Sequence, residues 1–235
     1  ASRTDLEFLI QVGQLVQKEG IDRFSLADTV GCLTPTKMKG LVSRMVSELD
    51  IPIHIHCHND FGMATANALS ALEAGAQCVD VAINGLGERC GLPPLAEVVI
   101  ALTNIYKVNG NWNLGLIPEL SELVKAFSKL DSNANQPIVG KNAFTHKAGL
   151  HVKAVIKEPR SYEAISPESV QRKRHFVIDK YTGNSALNNK LIHLGISVTA
   201  KELDTILIEI KSYPEKLNWD DKDLISLTNS MGIKS

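Results

Sequence analysis

The sequence predicts an α/β fold, with parallel strands and crossover helices over residues 1–108 and a smaller, mostly helical region after them. Two observations carry this. Apolar stretches at 22–31, 52–58 and 77–84 each lead through a polar loop into a stretch of helical periodicity, and a repeated strand-loop-helix order requires parallel strands joined by right-handed crossovers. Beyond Asn109 the alternation stops and only helical periodicity returns.

Taken in order, Leu6, Leu9, Ile10, Val12 and Val16 recur at helical spacing, which predicts a helix over 5–19 with Thr4 as N-cap and Gly20 as stop. Asp22 to Gly31 alternates apolar residues and ends in a glycine turn; Thr34-Pro35 then supplies a cap and first residue for a helix running to Leu49. The pattern repeats with strand 52–58 and helix 62–75, and with strand 77–84 and helix 94–108. Residues 109–116 are rich in Gly and Asn, 118–130 form an amphipathic helix, and 131–142 read as a polar loop, so that 109–142 is linker and helix. Residues 143–235 read as small helical subdomains: a loop and helix over 143–156, a connector with Pro159 and Pro167, a basic segment Arg172-Lys173-Arg174, and helical sequence from Asn184 to Met231 broken near Gly195 and Pro214.

Composition narrows the function class. With 235 residues, 44% hydrophobic and 22% charged, the chain has room for one domain or two small ones. A formal charge of -1 gives no electrostatic case for nucleic acid or a membrane surface as partner. Cys32, Cys57, Cys78 and Cys90 are far apart and form no C-x-x-C pair, which reads as reduced thiols in a cytoplasmic protein. The polar opening Ala-Ser-Arg-Thr-Asp has no signal-peptide character, and no apolar run reaches membrane-spanning length.

The stretch that announces chemistry is Ile-Pro-Ile-His-Ile-His-Cys-His-Asn-Asp-Phe-Gly at 51–62. In an extended strand His54, His56 and His58 share one face, and Ile53, Ile55 and Cys57 share the other. The turn at Asn59-Asp60-Phe61-Gly62 ends the strand, so His56 and His58 sit at its carboxyl end, where α/β barrels and sheets place active sites. Two readings stay open for this pair: imidazoles gripping one divalent ion, or structural imidazoles held by backbone carbonyls. His54, deeper in the strand, is read as structural. An ion held by two imidazoles needs an oxygen ligand as well, and Asp60 is the nearest acid, although its turn position suits a helix cap better. His-Glu-x-x-His is absent, which disfavours peptide hydrolysis.

The other strand-end loops offer Asp28 and Thr29, then Asn84, Glu88 and Arg89. Asp28 reads as a loop brace, Glu88 and Arg89 as partners of each other or of neighbouring strand ends, and Gly85, Gly87 and Gly91 as turn residues, since no dinucleotide fingerprint surrounds them.

Three stretches carry a resemblance: His56-Cys57-His58-Asn59-Asp60-Phe61-Gly62-Met63-Ala64 with Ala66-Asn67, then Ala74-Gly75-Ala76, then Asn84-Gly85-Leu86-Gly87-Glu88-Arg89 with Gly91. In order and length these resemble the homocitrate synthase and 2-isopropylmalate synthase family. The resemblance implies the last three strands of a (β/α)8 TIM barrel followed by small subdomains. It also implies an acyltransferase that joins acetyl-CoA, as co-substrate, to a 2-oxo acid at a divalent metal ion, whether Mg, Mn or Zn. Through it His56 and His58 become metal ligands. Asp28-Thr29-Val30-Gly31 fits the family pattern as well, which implies that Thr29 binds the carboxylate of the 2-oxo acid.

Phe144-Thr145-His146-Lys147-Ala148-Gly149-Leu150-His151 with Lys153-Ala154 resembles the homocitrate synthase version more closely, which implies 2-oxoglutarate as the acid. Leu92 agrees, because the isopropylmalate enzymes carry Asn there. By the same resemblance His151 takes part in acid/base catalysis at a neighbouring subunit's site, with Tyr162 in support; an imidazole suits that work because its ordinary pKa lies near neutrality. Isopropylmalate, citramalate or Re-type citrate synthesis is the alternative on the same scaffold. Cleavage of the hydroxymethylglutaryl-CoA type fits less well, since Gly87-Glu88-Arg89 stands where such lyases resemble a cysteine-bearing loop. The contrasting class is a non-catalytic subunit that dimerises through 109–235.

One part of the family pattern is not matched. Its metal-binding acid belongs to an Asp-Arg-Glu-type motif on the first barrel strand, and an Arg-x-Ser-x-Glu-like set lies on the fifth; Ala1-Ser2-Arg3-Thr4-Asp5 resembles the segment directly after that second set. The expectation is a carboxyl-terminal half, in a homodimer or a hetero-oligomer with an amino-terminal half that supplies the carboxylate ligand.

Overall fold

A computed structural model describes residues 1–233, which divide into two compact units: residues 1–132 with 137–139, and residues 133–136 with the chain from Gly140 onward.

In the first unit, helix α1 (Leu6–Lys18) is capped by Asp5, whose carboxylate accepts from Phe8 N at 3.0 Å. Thr4, the expected cap, is one residue too early. The acid satisfies an orphan N–H and also suits the positive end of the helix dipole. Strands β1 (Phe24–Asp28) and β2 (Ile53–Cys57) pair in parallel along their whole length, from Phe24 beside Ile53 to Asp28 beside Cys57. Strand β3 (Cys78–Val79) pairs with the other edge of β2, placing His54 beside Cys78. The order β1-β2-β3 follows the chain, as in a barrel, and lacks the reversal that marks a doubly wound sheet.

Helices α2 (Pro35–Glu48), α3 (Ala64–Glu73) and α4 (Leu95–Asn104) follow the strands in turn, and α5 (Ile117–Ser128) comes after them. Thr34 caps α2 as expected, accepting from Lys37 N at 3.3 Å, with Pro35 as the first helical residue. The core lies between the strands and the helices: Leu26, Ile53, Ile55 and Cys57 pack with Met38, Val42 and Met45 of α2, Ala64 and Ala71 of α3 and Ile10 of α1. The face of β2 opposite these apolar residues is left to the histidines.

β3 is much shorter than the expected strand over 77–84. Asp80 N still donates to Ile55 O at 2.9 Å, and Ala82 bridges to Pro94, but Asn84 and Gly85 then adopt φ of 58° and 71°. Backbone in the left-handed region cannot continue a ladder, so a 3-10 turn over Ile83–Gly85 replaces the strand end.

The second unit contains a parallel pair where the sequence predicts loop and basic connector: β4 (Thr145–His146) beside β5 (His175–Phe176). Helix α6 (Gly149–Lys157) follows β4, and 3-10 turns at Pro159–Ser161 and Pro167–Val170 occupy the proline connector. The expected helical tail resolves into α7 (Asn184–His193), α8 (Ala200–Ser212) and α9 (Asp221–Ser230), with breaks at Gly195 and Pro214. Capping boxes start the last two: Thr199 with Glu202, and Asp220 with Asp223. Val152, Ile178, Leu187, Leu191, Ile206, Ile210 and Leu224 form the core of this unit.

Candidate active site

At the carboxyl end of β2 the three histidines share one face, as the strand period requires, and the residue that organises them comes from β3. Asp80 is one residue past the β3 ladder, and its carboxylate meets two of the rings. Oδ2 lies 2.7 Å from His56 Nδ1, and Oδ1 lies 2.9 Å from His54 Nε2, close enough for an ion pair though out of line for a hydrogen bond. Burial pushes the Asp80 carboxyl up, but the contacts with His56 and His54 outweigh it and hold the group below its ordinary range. His54, buried, is accounted for by this contact, in line with its structural reading.

An acceptor at His56 Nδ1 places the ring proton there and leaves the Nε2 lone pair free. That lone pair faces His58: the two Nε2 atoms are 3.2 Å apart and the rings meet nearly edge-on, at 66°. With nitrogen–metal bonds of about 2.05 Å, a 3.2 Å separation corresponds to an angle at the ion of about 100°, between octahedral and tetrahedral values. His58 is buried, and its Nδ1 has no hydrogen-bond partner. The pair therefore fits two adjacent positions of a divalent ion. Among the described residues no group of three His, Cys, Asp or Glu side chains completes a ligand set.

Asp60 does not fill that gap. Arg89 holds it with both arms, Nε to Oδ1 at 2.8 Å and Nη2 to Oδ2 at 3.1 Å, and the guanidinium keeps the carboxyl below its ordinary range. Nor does Asp60 cap helix α3: the N-cap position is Met63, and the first helical N–H, that of Ala64, donates to Asn59 Oδ1 at 3.0 Å. Arg89 Nη2 also donates to Thr29 O at 2.6 Å, so one side chain ties the loops after β1, β2 and β3 together. Glu88 approaches Arg89 only at 3.7 Å.

The loop after β1 is built on Asp28. Its buried carboxylate accepts from Cys32 N at 3.1 Å and Leu33 N at 2.9 Å, the brace that was expected. Gly31, at φ +59°, lies so close to the β2 turn that a Cβ there would fall 2.7 Å from His58 O. Thr29 is exposed beside this turn, and its hydroxyl makes no hydrogen bond among the described residues. Asn84, expected at the same mouth, faces elsewhere: its amide donates to Ser121 O at 3.0 Å and its carbonyl accepts from Ser121 Oγ at 2.6 Å, which fixes α5. The nearby Cys57 thiol is pushed up to about 12 by burial and by the Asp28 and Asp80 carboxylates, so it stays protonated and inert.

In the second unit His151, the third residue of α6, stacks on Tyr162 with ring centroids 4.1 Å apart and planes inclined at 29°. Both side chains are exposed. Sequence reasoning singled out this pair but not the acid beside it. Glu163 accepts from Arg174 Nε at 2.5 Å and Nη2 at 2.7 Å, and from His146 Nε2 at 3.2 Å. Asp80 and Glu163 share one reason for being missed: each lies outside the recognised motifs, and its partners are distant in sequence.

The HMGL-like family matches residues 1–124, more than half of the chain. The chain belongs to that family. Residues 138–218 match a second family, described as homocitrate synthase post-HMGL domain-like. This HMGL-like chain is therefore α/β with part of a TIM barrel, followed by a small helical region. It is 42% identical to a homocitrate synthase of Sulfurisphaera tokodaii, over 98% of this chain and 50% of that protein. It is 42% identical to a homocitrate synthase AksA of Methanothermobacter thermautotrophicus, over 95% and 57% of the two chains. A probable 2-isopropylmalate synthase of Methanopyrus kandleri is 43% identical, over 92% of this chain and 43% of its own length. The chain thus spans about half the length of the curated relatives it matches. No helix among the described residues is long and apolar enough to cross a membrane.

Proposed function

We propose that this chain forms the carboxyl-terminal half of a cytoplasmic, metal-dependent acyltransferase that condenses acetyl-CoA with a 2-oxo acid, 2-oxoglutarate, to give homocitrate. Residues 1–108 supply the last part of the barrel, 109–142 a linker and helix, and 143–235 the subdomains. The observation that carries this reading is the pair of facing Nε2 atoms on His56 and His58, with His56 turned by Asp80, at a strand end of an HMGL-like chain. The names of the relatives support the substrate class, and the homocitrate synthase names together with Leu92 favour 2-oxoglutarate. The isopropylmalate relative, at similar identity, keeps 2-oxoisovalerate as the second acid to be assayed.

When bound, the ion polarises the carbonyl of the oxo acid. The chain's own residues do the rest: His56 and His58 hold two coordination positions, and the uncommitted Thr29 hydroxyl meets the substrate carboxylate. The exposed His151 imidazole, stacked on Tyr162, moves the proton of the acetyl methyl group at a neighbouring subunit's site. The remaining carboxylate ligand comes from an amino-terminal half, a reading supported by the chain spanning about half the length of its relatives. Large apolar side chains left exposed on α1 and α5, Leu15 and Phe127 among them, suit a surface that such a half would cover.

The test is co-expression of this chain with an amino-terminal half from a related synthase, followed by assay of CoA release from acetyl-CoA with 2-oxoglutarate, 2-oxoisovalerate, pyruvate and oxaloacetate in the presence of Mg, Mn or Zn. Turnover with both halves and 2-oxoglutarate, lost in His56→Ala and His58→Ala, is the expected result. A stable complex with no turnover on any acid would replace this reading with a non-catalytic, dimerising subunit.

A further inference from the structure

We infer that Glu163 is a positioning residue for the His151–Tyr162 pair, and this inference rests on the reading of that pair as the proton-transfer group. The pair itself is weakly anchored. Both rings are exposed, so no apolar enclosure fixes the 4.1 Å stack, and its geometry follows from where the two backbone segments are held. Tyr162 ends a 3-10 turn over Pro159–Ser161, with its N–H and that of Glu163 both donating to Pro159 O, at 3.2 and 3.1 Å. A single turn of this kind is a poor anchor by itself.

Glu163 supplies the missing constraint. Its side chain is 4% exposed, whereas Tyr162 is an exposed residue, and adjacent residues on a trans peptide lie a fixed distance apart. Fixing the carboxylate therefore fixes the Tyr162 backbone. One oxygen accepts from His146 Nε2 and Arg174 Nε, and the other from Arg174 Nη2, so the acid joins three segments. His146 lies on β4 five residues before His151; Arg174 immediately precedes β5; and β4 and β5 pair with each other, Val177 N donating to His146 O at 3.0 Å. The segment that carries His151 and the segment that carries Tyr162 are thus tied to one buried carboxylate. Charge-assisted, forked contacts are directional, and they set orientation as well as distance. A proton-transfer group needs such control, because a displacement of about 1 Å can cost about a hundredfold in rate.

The first measurement is made on this chain alone, without turnover: ring-proton shifts of His151 and Tyr162 and the nuclear Overhauser contacts between them, in the wild type, Glu163→Ala and Ile206→Val. Ile206→Val trims the buried core of the same unit, on α8. Loss of the ring contacts in Glu163→Ala, with amide dispersion kept elsewhere and the contacts intact in Ile206→Val, is expected. Should Glu163→Ala fail to fold, Arg174→Lys, which keeps the charge and removes the fork, is measured in the same way. The second measurement is steady-state kinetics in the reconstituted two-half synthase, where Glu163→Ala should lower kcat about a hundredfold with KM within about twofold, as expected for a misplaced proton-transfer group. Ring contacts that survive both Glu163→Ala and Arg174→Lys overturn the inference. Turnover that survives His151→Ala overturns the functional reading of the pair instead, and the two failures are told apart by the variant that produces them.

Discussion

Removing the Asp80 carboxylate tests the histidine site without any need for turnover. Asp80 touches His56 at Nδ1, on the side of the ring away from His58, so Asp80→Ala keeps both imidazoles and removes what fixes the His56 tautomer and orientation. An outer carboxylate of this kind is worth about 10- to 100-fold in metal affinity, or about 1.4–2.7 kcal/mol. The effect on folding should be smaller. The Asp80 side chain is 40% exposed, and ion pairs of that exposure contribute about 0–1 kcal/mol. Titration calorimetry with Zn, Mn and Mg, paired with urea unfolding without metal, separates the two quantities. The expected result is a 10- to 100-fold rise in Kd with stability nearly unchanged, and a larger loss for His56→Ala, which deletes a ligand. An Asp80→Ala protein that binds metal within twofold of the wild type would refute the claim that this carboxylate prepares the site.

The structure carries three further expectations. Gly91→Ala should destabilise by more than about 2 kcal/mol in chemical denaturation, because a Cβ at φ +84° would lie 1.9 Å from Gly85 O; Gly62→Ala, at φ +70° with open space around it, should cost only the backbone strain of about 1–2 kcal/mol. Asp28→Ala should cost about 2–4 kcal/mol in the same measurement, since it strips the acceptors from the N–H groups of Cys32 and Leu33, the second of these buried. The third concerns acid. Burial raises the Glu163 carboxyl, but the Arg174 and His146 contacts outweigh it and hold the group below its ordinary value. Its contribution is therefore fully present above the carboxylate range of the unfolded chain and disappears as pH falls through the lower folded value, so Glu163→Gln should flatten the acid limb of a stability-against-pH curve.

What could be read from the sequence, and what could not, divides along the range of the interactions involved. The period-2 alternation of 51–58 is a local rule, and it placed His54, His56 and His58 on one face and Ile53, Ile55 and Cys57 on the other. Caps and turns are nearly as local: Thr34-Pro35 opened its helix where expected, whereas Asp5 displaced Thr4 by a single residue because both can cap and only the backbone decides between them. The strand over 77–84 failed for a different reason. Its apolar alternation is real, but the ladder with β2 ends at Asp80, Ala82 bridges to Pro94 instead, and Asn84-Gly85, both at positive φ, close the segment with the turn that this dipeptide signals. The partners of the acids were beyond reach altogether. Asp80 lies 24 residues from His56, Arg89 lies 29 from Asp60, and Glu163 meets residues 17 before and 11 after it, with no spacing rule to link them. Motifs identify the groups that do chemistry because their types are constrained by the reaction. The acids that aim those groups are constrained only by position, and position becomes visible when parallel pairing brings β3 beside β2 and β5 beside β4. Asp80 and Glu163 are alike in one respect: Asp80, just past the β3 ladder, and Glu163, in the connector after the turn over Pro159–Ser161, each meet an imidazole carried by a paired strand through a contact that the sequence neighbourhood of the acid does not announce.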